Sequence, residues 1–230
     1  MNLSIPTLDG PSFEAYCELP PRTPAPGIVL LTPIFGVDAD MIGFAQRYAA
    51  RGYVVVAPDL FWRVHPGPLG RSGDDLVKAV DRKKRVNVER IRGDVRSTIE
   101  FLRKMPECSG KVAAIGICFG GRYAVLAALD GAVEAAGAYH ATEVGRDLDE
   151  LHNLNAPLSL HYGGRDPLAP ISEVESIQRA LRKSPLAEIC IYRGAKHGYS
   201  IPGNPDYDAA AAHASEARVF AMLERSANAR

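Results

Sequence analysis

The feature that most constrains this chain is a rhythm in which short apolar runs alternate with longer stretches of helical periodicity. Gly27–Leu31, Tyr53–Ala57, Lys111–Gly116, Val133–Tyr139, Leu158–Tyr162 and Glu188–Tyr192 read as strands. Between them, Asp40–Ala50, Gly121–Leu129, Ile171–Leu181 and Asp206–Leu223 read as helices. Ile91, Val95, Ile99 and Leu102 recur at spacings of four, four and three, which places them on one helical stripe. Two neighbouring parallel strands need a crossover, and a helix that crosses over also covers the sheet face. The rhythm therefore predicts an α/β protein with a mostly parallel sheet flanked by helices. Asn2–Thr7 and Phe13–Glu18 read as a hairpin across Asp9-Gly10. Phe61–Asp75 contains Pro66, Gly67, Pro68, Gly70 and Gly73 and reads as a long loop, of the kind that often carries function.

At 230 residues the chain suits one large domain, whose core is sizeable enough to fold without a metal or a disulfide. Lys plus Arg and Asp plus Glu are both 27, so no basic excess points to nucleic acid. The N-terminus lacks a basic stretch followed by an apolar one, and no run approaches the ~18–20 apolar residues of a membrane span. A cytoplasmic protein with no nucleic-acid or membrane partner is expected. Cys17, Cys108, Cys118 and Cys190 lie far apart, without a C-x-x-C pair, and no H-E-x-x-H is present. No metal and no cofactor is expected.

The chemistry centres on Gly116-Ile117-Cys118-Phe119-Gly120-Gly121, between an apolar run and a helical pattern. A nucleophile inside a G-x-C-x-G frame at a strand-to-helix turn parallels the G-x-S-x-G elbow. Such a turn is so sharp that its neighbours must be small, and it aims helix-terminal N–H groups at the reacting atom. A thiol there is chemically reasonable, because a helix N-terminus and a nearby imidazole both favour thiolate. Two blander readings compete. Cys118 would serve equally as a small buried hydrophobe, and a Gly-rich strand-to-helix turn also cradles phosphates. Neither G-x-x-x-x-G-K-[ST] nor G-x-G-x-x-G is matched here, which weighs against phosphate.

Asp166 follows the run Leu158–Tyr162 in a Gly-rich turn, and His197 follows Glu188–Tyr192 in another. Taken singly, these are a turn aspartate and a surface histidine. Together with Cys118 they stand in the chain order nucleophile, acid, histidine, each after a strand, which is the order of the α/β-hydrolase triad. His140, after a strand, is a candidate pocket residue. His65 lies in the Pro/Gly-rich loop, and His152, His161 and His213 read as structural or solvent-facing.

With these motifs the sequence resembles the dienelactone hydrolase family over nearly its whole length. The matching segments are Pro33-Ile34-Phe35-Gly36-Val37, Gly52-Tyr53 through Ala57-Pro58-Asp59-Leu60, the Cys118 elbow, Gly163-Gly164-Arg165-Asp166 and His197-Gly198. The resemblance implies a single α/β-hydrolase domain over 1–230 without a large cap. It implies a carboxymethylenebutenolidase-like carboxylic ester hydrolase whose triad is Cys118, Asp166 and His197. The oxyanion hole would be the N–H groups of Phe119 and Ile34. The expected partner is a small-molecule ester or lactone, and the expected state is monomer or homodimer. Phe35, Trp62, Arg63, Tyr123, His140 and Tyr199 are the candidate pocket walls, with Arg63 equally readable as a loop surface charge.

The chain also departs from that family. Where dienelactone hydrolases place a glutamate that interacts with the resting cysteine, it has Pro33. Of the two arginines that bind the dienelactone carboxylate, the one after the histidine is missing from His197-Gly198-Tyr199-Ser200-Ile201. The other aligns with Leu76, with Arg82 and Arg85 within slippage. A less acidic substrate, or a different anchor, is expected. Two alternatives on the same fold stay open: a ligand-binding protein without turnover, and a thiol redox protein using Cys190 or Cys108 as partner to Cys118.

Overall fold

The computed structural model of the protein describes residues 1–7 and 9–228. Its strands are β1 (Asn2–Pro6), β2 (Ser12–Glu18), β3 (Ala25–Leu31), β4 (Val54–Pro58), β5 (Cys108–Ile117), β6 (Ala135–Tyr139), β7 (Leu158–Gly163) and β8 (Ala187–Tyr192). Its helices are α1 (Ala39–Ala50), α2 (Gly73–Arg85), α3 (Val88–Lys104), α4 (Phe119–Leu129), α5 (Ile171–Leu181) and α6 (Ala209–Asn228). The sheet order is β1-β2-β4-β3-β5-β6-β7-β8. The chain divides into two compact units, one ending at Ala113 and the other beginning at Ala114.

In the first unit the hairpin forms as the sequence predicts, with Ile5 opposite Phe13 and Asn2 opposite Tyr16. β2 then pairs antiparallel with β4, and β3 pairs parallel with β4. β2 buries Phe13, Ala15 and Cys17 at every second position, whereas all five residues of β4 are buried. That contrast separates a strand with one wet face from one covered on both sides. Asp38 caps α1 by accepting from the Met41 N–H at 3.0 Å, and Asn87 caps α3 by accepting from the Arg90 N–H. Ile91, Val95, Ile99 and Leu102 are all buried, so the apolar stripe is the packing face of α3.

α2 corrects the sequence reading, which ran a loop through Asp75. The helix begins at Gly73, and only Ala79 and Arg82 are buried along it. The helix carries Leu76, Ala79 and Val80 at helical spacing, but of these only Ala79 is buried. Its support is electrostatic, with Asp74 and Asp75 in the first turn and Arg82, Lys83, Lys84 and Arg85 in the last, each sign matching the helix dipole.

In the second unit β6, β7 and β8 run parallel in register, with Ala136 beside Leu158 and Leu160 beside Ile189. Every residue of α4 is buried, and Arg122 is the one charge in a pattern otherwise without a polar face. Gly137 lets α6 approach β6, because a Cβ there would stand 3.3 Å from the Val219 methyl groups. No helix among the described residues is long and apolar enough to cross a membrane.

Candidate active site

Cys118 stands between β5 and α4 with φ 54° and ψ −115°, a backbone conformation few non-glycine residues adopt. The surroundings hold it there. The Cys118 N–H donates to the Tyr139 carbonyl at 3.0 Å, and the Cys118 carbonyl accepts from the N–H groups of Gly121 (3.0 Å) and Thr142 (3.2 Å). Glycine is required on both flanks. A Cβ on Gly116 would lie 2.4 Å from the Gly120 carbonyl oxygen, and one on Gly121 would lie 2.5 Å from the Ala141 Cβ. The Phe119 N–H opens the first turn of α4 directly after the thiol.

Asp166 and His197 come from the turns after β7 and β8, and these two turns are stitched together. Gly164 N–H donates to the Tyr192 carbonyl at 2.7 Å, and Arg165 N–H to the Ala195 carbonyl at 2.9 Å. Backbone passes so close that a Cβ on Gly163 would stand 2.6 Å from the Ala195 oxygen. One Asp166 oxygen accepts from the N–H groups of Leu168 (2.8 Å) and Ala169 (3.3 Å). The other accepts from His197 Nδ1 at 2.8 Å. His197 Nε2 then lies 3.2 Å from Cys118 Sγ.

The result is a continuous thiol–imidazole–carboxylate line. The Asp166 carboxylate is fully buried, while the imidazole keeps 18% of its surface exposed. Burial disfavours the imidazolium. The hydrogen bonds to Asp166 and Cys118, and the negative charge both can carry, outweigh that and raise the His197 pKa to about 10. An imidazole that holds its proton beside a sulfur is suited to pair with a thiolate and to hand the proton on.

Of the remaining sequence candidates, Tyr123, His140 and Tyr199 lie in the second unit, with His140 against the His197 ring, and Phe35, Trp62 and Arg63 lie in the first. Tyr123 is buried behind Phe119, with ring centroids 5.1 Å apart. His140 and Tyr199 are completely buried. Phe35 and Ile34 are half-buried in the turn after β3, in the first unit. Trp62 stacks on Phe13 and donates to Asp94 at 2.8 Å. Arg63 grips the same carboxylate through Nε (3.1 Å) and Nη2 (3.0 Å) and reaches Asp9 as well. Every nitrogen of the buried Arg82 donates to backbone: Nε and Nη2 to Ile34 O, and Nη1 to the carbonyls of His65 and Gly67.

Of the other histidines, His65, His152 and His213 are exposed. His161 is fully buried and bonded to Ser159 and Tyr192, and burial drives its pKa down to about 3. Sequence reasoning did not single out Ser200, which bonds to His140, or the buried pair Arg122–Asp147. Nothing in the local sequence of any of them announces a partner 25 to 60 positions away. Among the described residues, no cluster of three or more His, Cys, Asp or Glu side chains could hold a metal ion.

The model of the dienelactone hydrolase family matches residues 13–227. The chain belongs to that family. The carboxymethylenebutenolidase of Pseudomonas putida is 32% identical over 94% of this chain and 93% of its own length. That of Pseudomonas sp. strain P51 is 28% identical over 97% and 94%. A solved dienelactone hydrolase from Anabaena variabilis shares the fold at a TM-score of 0.71 and 16% identity, covering 96% of both chains. The protein is thus a hydrolase of the dienelactone hydrolase type with an α/β-hydrolase fold.

Proposed function

We propose that this family member cleaves an ester or lactone with Cys118 as nucleophile, His197 as proton carrier and Asp166 as the group that orients and charges the imidazole. The observation that carries the reading is the pair of contacts on one imidazole, 3.2 Å to Cys118 Sγ and 2.8 Å to Asp166 Oδ2. His197 holds the thiol proton while sulfur attacks the carbonyl carbon, and the carbonyl π electrons move onto oxygen. The Phe119 N–H, with that of Ile34 as the family resemblance implies, stabilises the oxyanion. As the C–O bond breaks, the leaving oxygen takes the proton from His197. Water, deprotonated by His197, then attacks the thioester, and the acid leaves as the thiolate is restored. Asp166 stays ionised and fixes the tautomer. Because the family match spans both compact units, we take 1–230 to act as one α/β-hydrolase domain.

The relatives' name denotes a substrate carrying a carboxylate, and here the proposal diverges. Arg82 spends its nitrogens on three backbone carbonyls, and Arg63 is committed to Asp94 and Asp9. With no arginine in His197–Ile201 either, a neutral ester or lactone is the better substrate.

The test is hydrolysis of short-chain chromogenic esters and of neutral and acidic lactones by wild type and Cys118→Ala, followed through burst and steady state. Burst and turnover should both vanish in the variant, and neutral lactones should outrun acidic ones. Equal activity in both proteins would remove Cys118 from the mechanism. No turnover by either protein across the panel would favour a binding role.

A further inference from the structure

The proposed chemistry leaves His140 unused, yet its position is costly. It has φ 38°, in the left-handed region that residues with a Cβ avoid, and its imidazole has no solvent exposure. A residue held in that state points to a demand made on its side chain.

The demand is visible in its neighbours. The His140 ring meets the His197 ring edge-on, with centroids 4.7 Å apart and planes at 70°. His140 Nε2 lies 3.0 Å from the Oγ of Ser200, a buried residue three positions after His197. The Tyr199 ring packs edge-on against His140 at 5.5 Å. The backbone is pinned too, because the His140 N–H donates to the His161 carbonyl at 2.7 Å. On either side, Tyr139 accepts from the Cys118 N–H and Thr142 donates to the Cys118 carbonyl. The segment 139–142 therefore grips the cysteine by its backbone and the histidine by its ring.

Two hydrogen bonds, at opposite nitrogens of one imidazole, leave the ring free to tilt about the line joining its partners. A third contact off that line removes the freedom. We propose that His140, locked by Ser200, is a positioning residue that sets the tilt of His197 and thereby aligns Nε2 with the Cys118 sulfur. The inference rests on Cys118 and His197 acting as proposed above. It goes further by assigning the His140–Ser200 pair to the reaction without contact with substrate.

The experiment compares His140→Gly, His140→Phe and Ser200→Ala with wild type. Glycine relieves the positive φ and deletes the ring, while phenylalanine keeps a ring without the Ser200 bond. Misplacement of a reacting group by about 1 Å costs on the order of 100-fold. His140→Gly should therefore lose roughly 10- to 100-fold in kcat, with KM within about threefold. Phenylalanine should recover most of that loss, and Ser200→Ala should fall between.

The reading that separates positioning from mere folding is the NMR titration of His197 together with the pH dependence of Cys118 alkylation by iodoacetamide. Both should shift in His140→Gly while circular dichroism stays native. Unchanged kcat, titration and alkylation in a folded His140→Gly would overturn the proposal. If that variant does not fold, the same three unchanged readings in Ser200→Ala overturn it. Cys118→Ala separates the two levels. Turnover surviving in it sinks the parent reading, whereas a dead Cys118→Ala beside an unaffected His140→Gly sinks only this one.

Discussion

Arg122 is the fourth residue of α4 after the elbow, and its guanidinium faces Asp147 in a two-pronged pair, Nε to Oδ2 and Nη2 to Oδ1, both at 2.6 Å. The side chains are only 11% and 6% exposed, so solvent screens the pair little. The carboxylate's bonds raise the Arg122 pKa despite the opposing pull of burial. Arg122→Ala leaves a buried carboxylate with no counter-charge, a change worth about 3–5 kcal/mol. For a chain of this size, each kcal/mol moves Tm by about 2–4 °C. Arg122→Ala should thus melt roughly 6–20 °C below wild type.

Replacing both partners by apolar residues of similar volume removes the two desolvation costs along with the attraction, and such replacements are often neutral. Arg122→Met combined with Asp147→Leu should therefore regain most of the loss, giving a coupling of about 2 kcal/mol or more. Urea unfolding followed by circular dichroism, run on Arg122→Met, Asp147→Leu and the double variant beside wild type, measures it. If Arg122→Ala cost less than about 1 kcal/mol, or the double variant were no better than the worse single, the desolvation argument would be refuted.

Three further outcomes follow from the geometry. Gly116→Ala should cost about 3 kcal/mol or more, because its Cβ meets a backbone oxygen at 2.4 Å that no rotamer change can move; near-native thermal unfolding would contradict this. The His197 imidazole should titrate near 10 by NMR and fall in Asp166→Asn. Since the folded value lies above the unfolded ~6.5, its stabilisation is complete below that pH and fades as pH rises through 10. The stability gap between wild type and Asp166→Asn should narrow over that window, and a constant gap would count against the assignment. Arg82→Met should deprive the Ile34, His65 and Gly67 carbonyls of a buried donor, at about 1–3 kcal/mol each if left unmet. Hydrogen exchange should then quicken at residues 34–37 and 65–69, and unaltered protection there would show that the loops stand without Arg82.

Where residues declare themselves through their own stretch of chain, the sequence was legible. The strands were read to within three residues at their starts, since each is an apolar run bounded by turn residues. The Ile91–Leu102 stripe found α3 because one face of that helix is oily. The three groups of the proposed site were legible for a different reason. Each ends a strand in a glycine-marked turn, and parallel strands of one sheet deliver such turns to the same edge.

What escaped notice was held by distant partners. α2 has only a short apolar stripe, Leu76, Ala79 and Val80, and buries just Ala79 and Arg82, so periodicity marks it weakly. His140 gives no sign of its burial, because Ser200 lies 60 positions away. The six candidate pocket walls were chosen by residue type, and type does not distinguish a ring facing substrate from one buried beneath it. Tyr123, His140 and Tyr199 are all buried.

The strained backbone at Cys118 is maintained by the carbonyl of Tyr139, the N–H groups of Gly121 and Thr142, and the missing side chains of Gly116 and Gly121. None of these restraints involves the sulfur. Position 118 therefore works as a socket whose fitting is interchangeable. A serine placed there would meet the same backbone restraints, the same imidazole and the same helix terminus, so under the mechanism proposed for Cys118 the exchange of thiol for hydroxyl asks nothing new of the scaffold around it.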